Sequence, residues 1–109
     1  MPVVSNTSPI LNLALTDRLY LIREQFTTVT IPKGVLKELR VKENLPGSKK
    51  ILDALEAKWL KVEEIQDSSM LRILKRELDA GEAEAITLAV ETSAQWVLLD
   101  EKIRGQIYV

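Results

Sequence analysis

Hydrophobic positions along the chain follow two periods in turn, one typical of strands and one typical of helices. Short β-branched or apolar runs at Val3–Val4, at 27–31 (TTVTI) and at 94–100 (AQWVLLD) predict buried strands. The run 59–65 (WLKVEEI) alternates in part, so it indicates either a further strand or the end of a helix. Between these runs, apolar residues recur at spacings of three and four, which places them on one face of a helix.

Caps and turn residues predict where the helices begin and end. Ser8–Pro9 indicates a helix start, because proline lacks the N–H that would be unpaired in the first turn. Pro46–Gly47 marks a turn, after which Ser48 is expected to cap a helix. Gly81 is expected to break one helix, and Glu82 to begin the next. Two aspartates are expected to cap further helices, Asp17 and Asp67.

The predicted order of elements is β-α-α-β-α-α-β-α-α-β. Strands that alternate with helices favour an α/β fold in three layers, with a central parallel sheet of four or five strands between helices. The chain has 109 residues and contains no repeat or linker, so we expect residues 1–109 to form one domain.

The amino-acid composition excludes several kinds of catalytic and metal-binding site. The net charge of -1 gives no general argument for nucleic-acid binding, although a local basic patch remains an open alternative. The chain has no cysteine, which excludes disulfides and thiolate metal sites. It also has no histidine, which excludes Ser-His catalysis and imidazole ligands. Catalysis would therefore have to use carboxylates, amides, hydroxyls, lysine or arginine.

The sequence has no apolar run of the ~20 residues that a membrane span needs. Its first residues lack the basic and apolar regions of a signal peptide. We therefore expect a cytoplasmic protein without a membrane partner.

Four side chains from distant segments are candidates for one site. Asn6 follows the first strand and Asp100 follows the last strong one, so both belong to the carboxyl edge of a parallel sheet. Glu38 and Glu82 lie on helices that follow this edge. Carboxylates that converge are stabilised by a divalent cation, and oxygen ligands favour Mg²⁺ or Mn²⁺. Such ions catalyse phosphodiester hydrolysis.

Simpler interpretations of the same residues stay open. The chain has 16 acids, so a few near strand ends are expected by chance. Glu38 fits an exposed helix position paired with Lys42, and the helix dipole alone explains an acid at Glu82. Glu84 is expected to face solvent.

Several segments together resemble a PIN domain. They are "VVSNTSPILNLALTDRLYLI", "TTVTIPKGVLKELR", "LDAGEAEAITLAVE" and "WVLLDEK", in this order and spacing. The likeness covers nearly the whole chain and is greatest to prokaryotic proteins related to VapC-type toxins. It implies a Mg²⁺- or Mn²⁺-dependent ribonuclease of the toxin type. It also implies an antitoxin partner and a homodimer.

The resemblance also implies the site residues. The four acidic positions of the family fall on Asn6, Glu38, Glu82 and Asp100, with Glu101 as the neighbouring candidate. A hydroxyl position beside the first of them falls on Thr7 or Ser8. Lysine and arginine near this site are candidates for holding phosphate: Lys33, Lys37 and Arg104.

The chain departs from the family pattern in two ways. Asn6 replaces the usual aspartate, and an amide oxygen can ligate Mg²⁺ but brings no charge. Relatives normally continue through a further helix and strand, whereas this sequence stops after "IRGQIYV". We therefore expect the last helix and strand to be missing, and the apolar surface they would cover to be buried by a partner chain such as a second copy.

Three functions compete at this point. The first is a metal-dependent, toxin-type ribonuclease. The second is a PIN fold with weak or no catalysis that binds RNA or an antitoxin, which Asn6 favours. The third is an α/β interaction protein with no active site.

Overall fold

Four parallel strands form one sheet. The computed structural model describes residues 2–66 and 68–99, without the side chain of residue 68. In the described residues the strand order is β3-β2-β1-β4. The predicted parallel α/β architecture is confirmed, and the run 59–65 contains a strand. The strands are β1 (Val3–Ser5), β2 (Val29–Pro32), β3 (Leu60–Glu63) and β4 (Trp96–Leu98).

Helices fill each connection between the strands, in the predicted order. A short 3₁₀ turn, Val41–Glu43, follows the third helix. The α-helices are α1 (Thr7–Leu15), α2 (Tyr20–Phe26), α3 (Lys33–Leu39), α4 (Ser48–Glu56), α5 (Ser68–Leu74) and α6 (Ala80–Glu91).

The predicted start of α1 is corrected by two residues. The helix already begins at Thr7, with Asn6 in the N-cap position. Ser8 and Pro9 therefore lie inside the first turn, where proline is still tolerated. Because β1 runs directly into α1, Asn6 is held at the junction between strand and helix.

The start of α6 is also earlier than predicted. Asp79 caps the helix, and its side chain accepts a hydrogen bond of 2.8 Å from the N–H of Glu82. Gly81 consequently lies within the first turn and does not break a helix. The predicted cap at Asp17 is wrong, since α2 begins at Tyr20. Asp67 lies outside the described residues.

The start of α4 also differs from the prediction. Ser48 is the first helical residue and Gly47 is the N-cap, while the Ser48 hydroxyl accepts a 2.9 Å hydrogen bond from the N–H of Leu45. The Ser48 side chain therefore stabilises the turn before the helix and does not cap the helix. The sequence pattern alone does not distinguish these two roles.

Apolar side chains cover the two faces of the sheet unequally. Side chains alternate across a strand, so Val3 points into one cluster and Val4 into the other. The larger cluster packs the sheet against the helices of the first half of the chain, with residues such as Ile10 and Ile51. The smaller cluster is built mainly from α6, whose alanines allow it to approach the sheet. The helix α6 is thereby fixed close to β1.

Three connections enter the amino edge of the sheet through residues with positive φ. Thr27 precedes β2 with a φ of 67°, Lys58 precedes β3 with 68°, and Ser93 precedes β4 with 55°. Residues other than glycine rarely adopt this conformation, since the Cβ atom is crowded. These turns therefore hold some backbone strain at the amino edge.

None of the helices within 2–66 and 68–99 is both long and apolar enough to cross a membrane. Asp100, Glu101 and Arg104 lie outside the described residues, so their predicted roles stay predictions.

Candidate metal and nucleic-acid site

Asn6 lies buried at the carboxyl end of β1. Its backbone N–H donates a 2.9 Å hydrogen bond to the carbonyl of Leu98, which extends the pairing of β1 with β4 by one residue. Its side chain is 5% exposed, and within the described part of the chain Oδ1 has no hydrogen-bond partner. A buried polar atom without a partner costs free energy, so Asn6 Oδ1 fits a site that receives a ligand.

Glu38 reaches the same place from α3. Its Oε1 accepts a 2.5 Å hydrogen bond from the hydroxyl of Thr7, the first residue of α1. This contact ties α3 to the junction that follows β1. The expected hydroxyl beside the first site position is therefore Thr7. Glu38 is exposed, as its simpler interpretation as a solvated helix residue predicts, but among the described residues its carboxylate bonds to Thr7 and not to Lys42.

Gly81 brings the start of α6 against both side chains. A methyl group on Gly81 would lie 2.6 Å from Glu38 Oε1 and 2.8 Å from Asn6 Oδ1. Contacts that short do not occur, so only glycine leaves room for the two oxygens. Because both distances start from one point, the two oxygens are close enough to face a common ligand. The structure thus brings Asn6 and Glu38 together, as predicted.

Glu82 follows Gly81 and is 2% exposed. The helix dipole favours an acid in this first turn, but that effect does not require burial. A carboxylate is costly to bury unless its charge is compensated. Its burial in the first turn of α6, directly after Gly81, keeps Glu82 a candidate for the site.

Glu84 was not expected in this region, and its predicted exposure to solvent is wrong. The side chain is half-buried, and a methyl group on Gly34 would overlap its Oε1. Burial raises the pKa of the Glu84 carboxyl, an effect that Lys75 opposes, Glu38 adds to and Lys37 opposes. No periodicity in the sequence distinguishes Glu84 from an ordinary exposed helix residue, so only the tertiary contact reveals it.

The two lysines predicted to hold phosphate lie on α3. Lys33 pairs with Glu64 at 2.6 Å, which links the start of α3 to the segment after β3. Lys37 lies near Glu84. These contacts place Lys33 at the Gly34 end of α3, already in an ion pair, and Lys37 near the Glu84 carboxylate.

Oxygen donors at this edge fit a hard divalent cation. Within 2–66 and 68–99, no three acidic side chains form a group that could hold a metal ion by themselves. The oxygens that the described residues bring together around Gly81 are instead mixed: an amide oxygen of Asn6 with no hydrogen-bond partner there and a carboxylate oxygen of Glu38. Such oxygens suit Mg²⁺ or Mn²⁺ and do not suit softer metals.

Comparison with known protein families identifies the family of this chain. Residues 2–107 match the model of a family described as PIN domain. Comparison with curated proteins and with solved structures finds no match. PIN domains have a nuclease-type fold, generally use divalent metal ions and interact with nucleic acids. The match covers almost the whole chain, and the chain therefore belongs to the PIN-domain family.

Proposed function

We propose that this protein is a toxin-type ribonuclease that hydrolyses RNA phosphodiester bonds with Mg²⁺ or Mn²⁺. The ion would be held by Asn6, Glu38, Glu82 and Asp100, with Glu101 as the neighbouring ligand. The observation that carries the proposal is the buried Asn6 Oδ1, which has no hydrogen-bond partner among residues 2–66 and 68–99 and shares the space above Gly81 with Glu38 Oε1. A bound cation satisfies both oxygens at once, which explains why the amide oxygen is buried without a hydrogen bond.

The residues of the chain prepare this site in distinct ways. The Thr7 hydroxyl holds Glu38 Oε1 towards the end of β1, and Gly81 leaves the space in front of it open. When bound, a divalent ion activates water and stabilises the charge that develops on the phosphoryl oxygens. Asn6 adds no negative charge, so it neutralises less of the ion's charge than an aspartate would, and it binds the ion more weakly.

A second function is favoured by the same asparagine. A PIN fold with weak or absent catalysis could bind RNA or an antitoxin at this edge. In that case the acids would be retained for a bound ion or for basic groups of the partner, and the missing charge at Asn6 would account for the loss of cleavage.

Metal-dependent cleavage of a fluorescent RNA separates the two functions. We expect the native chain to cleave in Mn²⁺ and not in EDTA, and we expect Glu82→Gln to lose cleavage. Glu56→Gln, an exposed acid at the end of α4, is the matched control and should cleave like the native chain. Cleavage that Glu82→Gln leaves unchanged would reject the site. Cleavage that only Asn6→Asp creates, with Mn²⁺ binding intact in the native chain, would mean that the native protein is not the nuclease and would favour the second function.

We also propose a protein antitoxin as partner and a homodimer as the assembled form. Both rest on the resemblance to VapC-type toxins. Co-expression with the adjacent reading frame should restore growth if the protein is a toxin, and light scattering of the purified chain should give twice the chain mass. Growth that needs no partner, or a monomeric mass, would contradict the corresponding proposal.

A further inference from the structure

The crossing of α3 and α6 contains two glycine–glutamate contacts in opposite senses. Gly34 of α3 packs against the Glu84 carboxylate of α6, and Gly81 of α6 packs against the Glu38 carboxylate of α3. Gly34 and Glu38 are four residues apart, and Gly81 and Glu84 are three apart. Each pair therefore lies on one face of its helix. A glycine of each helix therefore contacts a glutamate of the other helix. The order of the contacts shows that the two helices run antiparallel where they cross.

Only one of these two glycine–glutamate contacts belongs to the proposed metal site. Glu38 lies beside Asn6, whereas Glu84 contacts the opposite end of α3, one turn away. The helix α3 spans seven residues and has no side-chain cap at its start, so packing must fix its position. The Glu84 carboxylate occupies the space over Gly34, where the first turn of α3 passes α6.

We propose that Glu84 is a positioning residue: by filling the space above Gly34, its carboxylate group fixes α3 against α6 and thereby holds Glu38 beside Asn6. This inference rests on the proposed function, since it concerns how the ion-binding oxygens are placed. It predicts that the shape of the Glu84 side chain matters more than its charge.

Two substitutions of Glu84 separate shape from charge. Glu84→Gln keeps the shape, so we expect its Mn²⁺ affinity, measured by calorimetry, to stay within about twofold of the native value. Glu84→Ala empties the space, and we expect an affinity loss of about tenfold, as for other groups that orient metal ligands. Glu24→Ala, an exposed glutamate on α2, is the matched control and should bind Mn²⁺ like the native chain.

A third and a fourth variant test the contact itself. Gly34→Ala places a methyl group where Glu84 Oε1 lies. The end of a glutamate side chain is flexible, so the inference requires that packing holds this carboxylate in place and that α3 is displaced instead, which should weaken Mn²⁺ binding about tenfold. In the double variant Gly34→Ala with Glu84→Ala, the methyl group takes the vacated space, and affinity should recover to within about threefold of the native value. If Gly34→Ala does not fold, the comparison of Glu84→Gln with Glu84→Ala decides.

Three results would overturn the inference. If Glu84→Gln bound Mn²⁺ as weakly as Glu84→Ala, the charge of Glu84 would act directly on the ion. An unchanged Glu84→Ala would mean that the residue has no role. A double variant no better than Gly34→Ala would mean that the contact does not position α3.

The side-chain amide signal of Asn6 in ¹⁵N NMR distinguishes this inference from the proposed function. It reports on the Asn6–Glu38 neighbourhood without any metal. If the native chain binds no Mn²⁺, the proposed function fails. The positioning role still requires that Glu84→Ala and Gly34→Ala shift this signal, and that Glu84→Gln and the double variant leave it in place. Any other pattern rejects the positioning role.

Discussion

The two edges of the sheet are made by the same four strands but are stabilised in different ways. At the carboxyl edge, polar groups are buried, including Asn6 with its unpartnered oxygen and Glu82. At the amino edge, Trp59 packs into the apolar core, and charged groups such as Lys50 and Asp17 pair at the surface. Buried polar groups cost stability and surface pairs contribute little. The difference supports our proposal that the carboxyl edge binds a ligand, whereas the amino edge contributes to the fold.

The largest expected effect comes from adding a charge at the carboxyl edge. Asn6→Asp should lower the free energy of unfolding in EDTA by about 3 kcal/mol, because it buries an uncompensated carboxylate near Glu38. Saturating Mn²⁺ should restore most of this loss, since the ion binds the native state. Urea denaturation with and without Mn²⁺ measures both.

Asn44→Asp, at an exposed turn, is the control and should change stability by less than about 0.5 kcal/mol. An Asn6→Asp variant as stable in EDTA as the native chain, and insensitive to Mn²⁺, would mean that the carboxyl edge binds no cation.

Two glycines should respond differently to the same methyl group. Gly81→Ala places Cβ between Asn6 and Glu38, so it should reduce Mn²⁺ affinity more than tenfold, as perturbation of neighbouring groups does at metal sites. Gly47→Ala, at a φ of 85°, should instead lower the free energy of unfolding by about 1 kcal/mol and leave Mn²⁺ affinity unchanged. Calorimetry measures the Mn²⁺ affinity of both variants, and urea denaturation measures their stability. Equal losses of Mn²⁺ affinity in Gly81→Ala and Gly47→Ala would contradict the expected difference between the two glycines.

At the amino edge, glycine should stabilise the protein. Thr27→Gly relieves a β-branched residue at positive φ and should raise the free energy of unfolding by about 0.5–1 kcal/mol without affecting Mn²⁺ binding. Thr28→Gly next to it relieves no such strain and should lower the free energy of unfolding by a similar amount. Urea midpoints measure both. A destabilised Thr27→Gly would show that the connection before β2 is not strained.

The smallest expected effect concerns the ion pair of Lys33 and Glu64. The hydrogen bond from Lys33 lowers the pKa of the Glu64 carboxyl in the folded state. Its contribution to stability is therefore present above the ordinary pKa of glutamate and is lost as the pH falls through the folded value. Lys33→Met should reduce the urea midpoint slightly at pH 7 and not at pH 3. Lys61→Met, an exposed lysine on β3, serves as control, and an equal reduction at both pH values would contradict the expectation.

The sequence by itself determined the order of strands and helices, the parallel sheet and the family. It also predicted that Asn6 and Glu38 meet, because the carboxyl ends of parallel strands share one edge. The order of elements and the meeting of the two residues follow from local periodicity and from a general rule of sheet geometry, whereas the family follows from the resemblance of several sequence motifs. The ligand roles of Asp100 and Glu101 stay predictions.

Only the tertiary structure decided which groups actually touch. The contact of Gly81 with two site oxygens, and that of Gly34 with Glu84, join residues far apart in sequence. The local sequence does not predict these contacts. A glycine within a helix, or Glu84 two residues after Glu82, looks like an ordinary helix position. Their distance depends on how two helices cross, and that crossing is set by packing across the whole core.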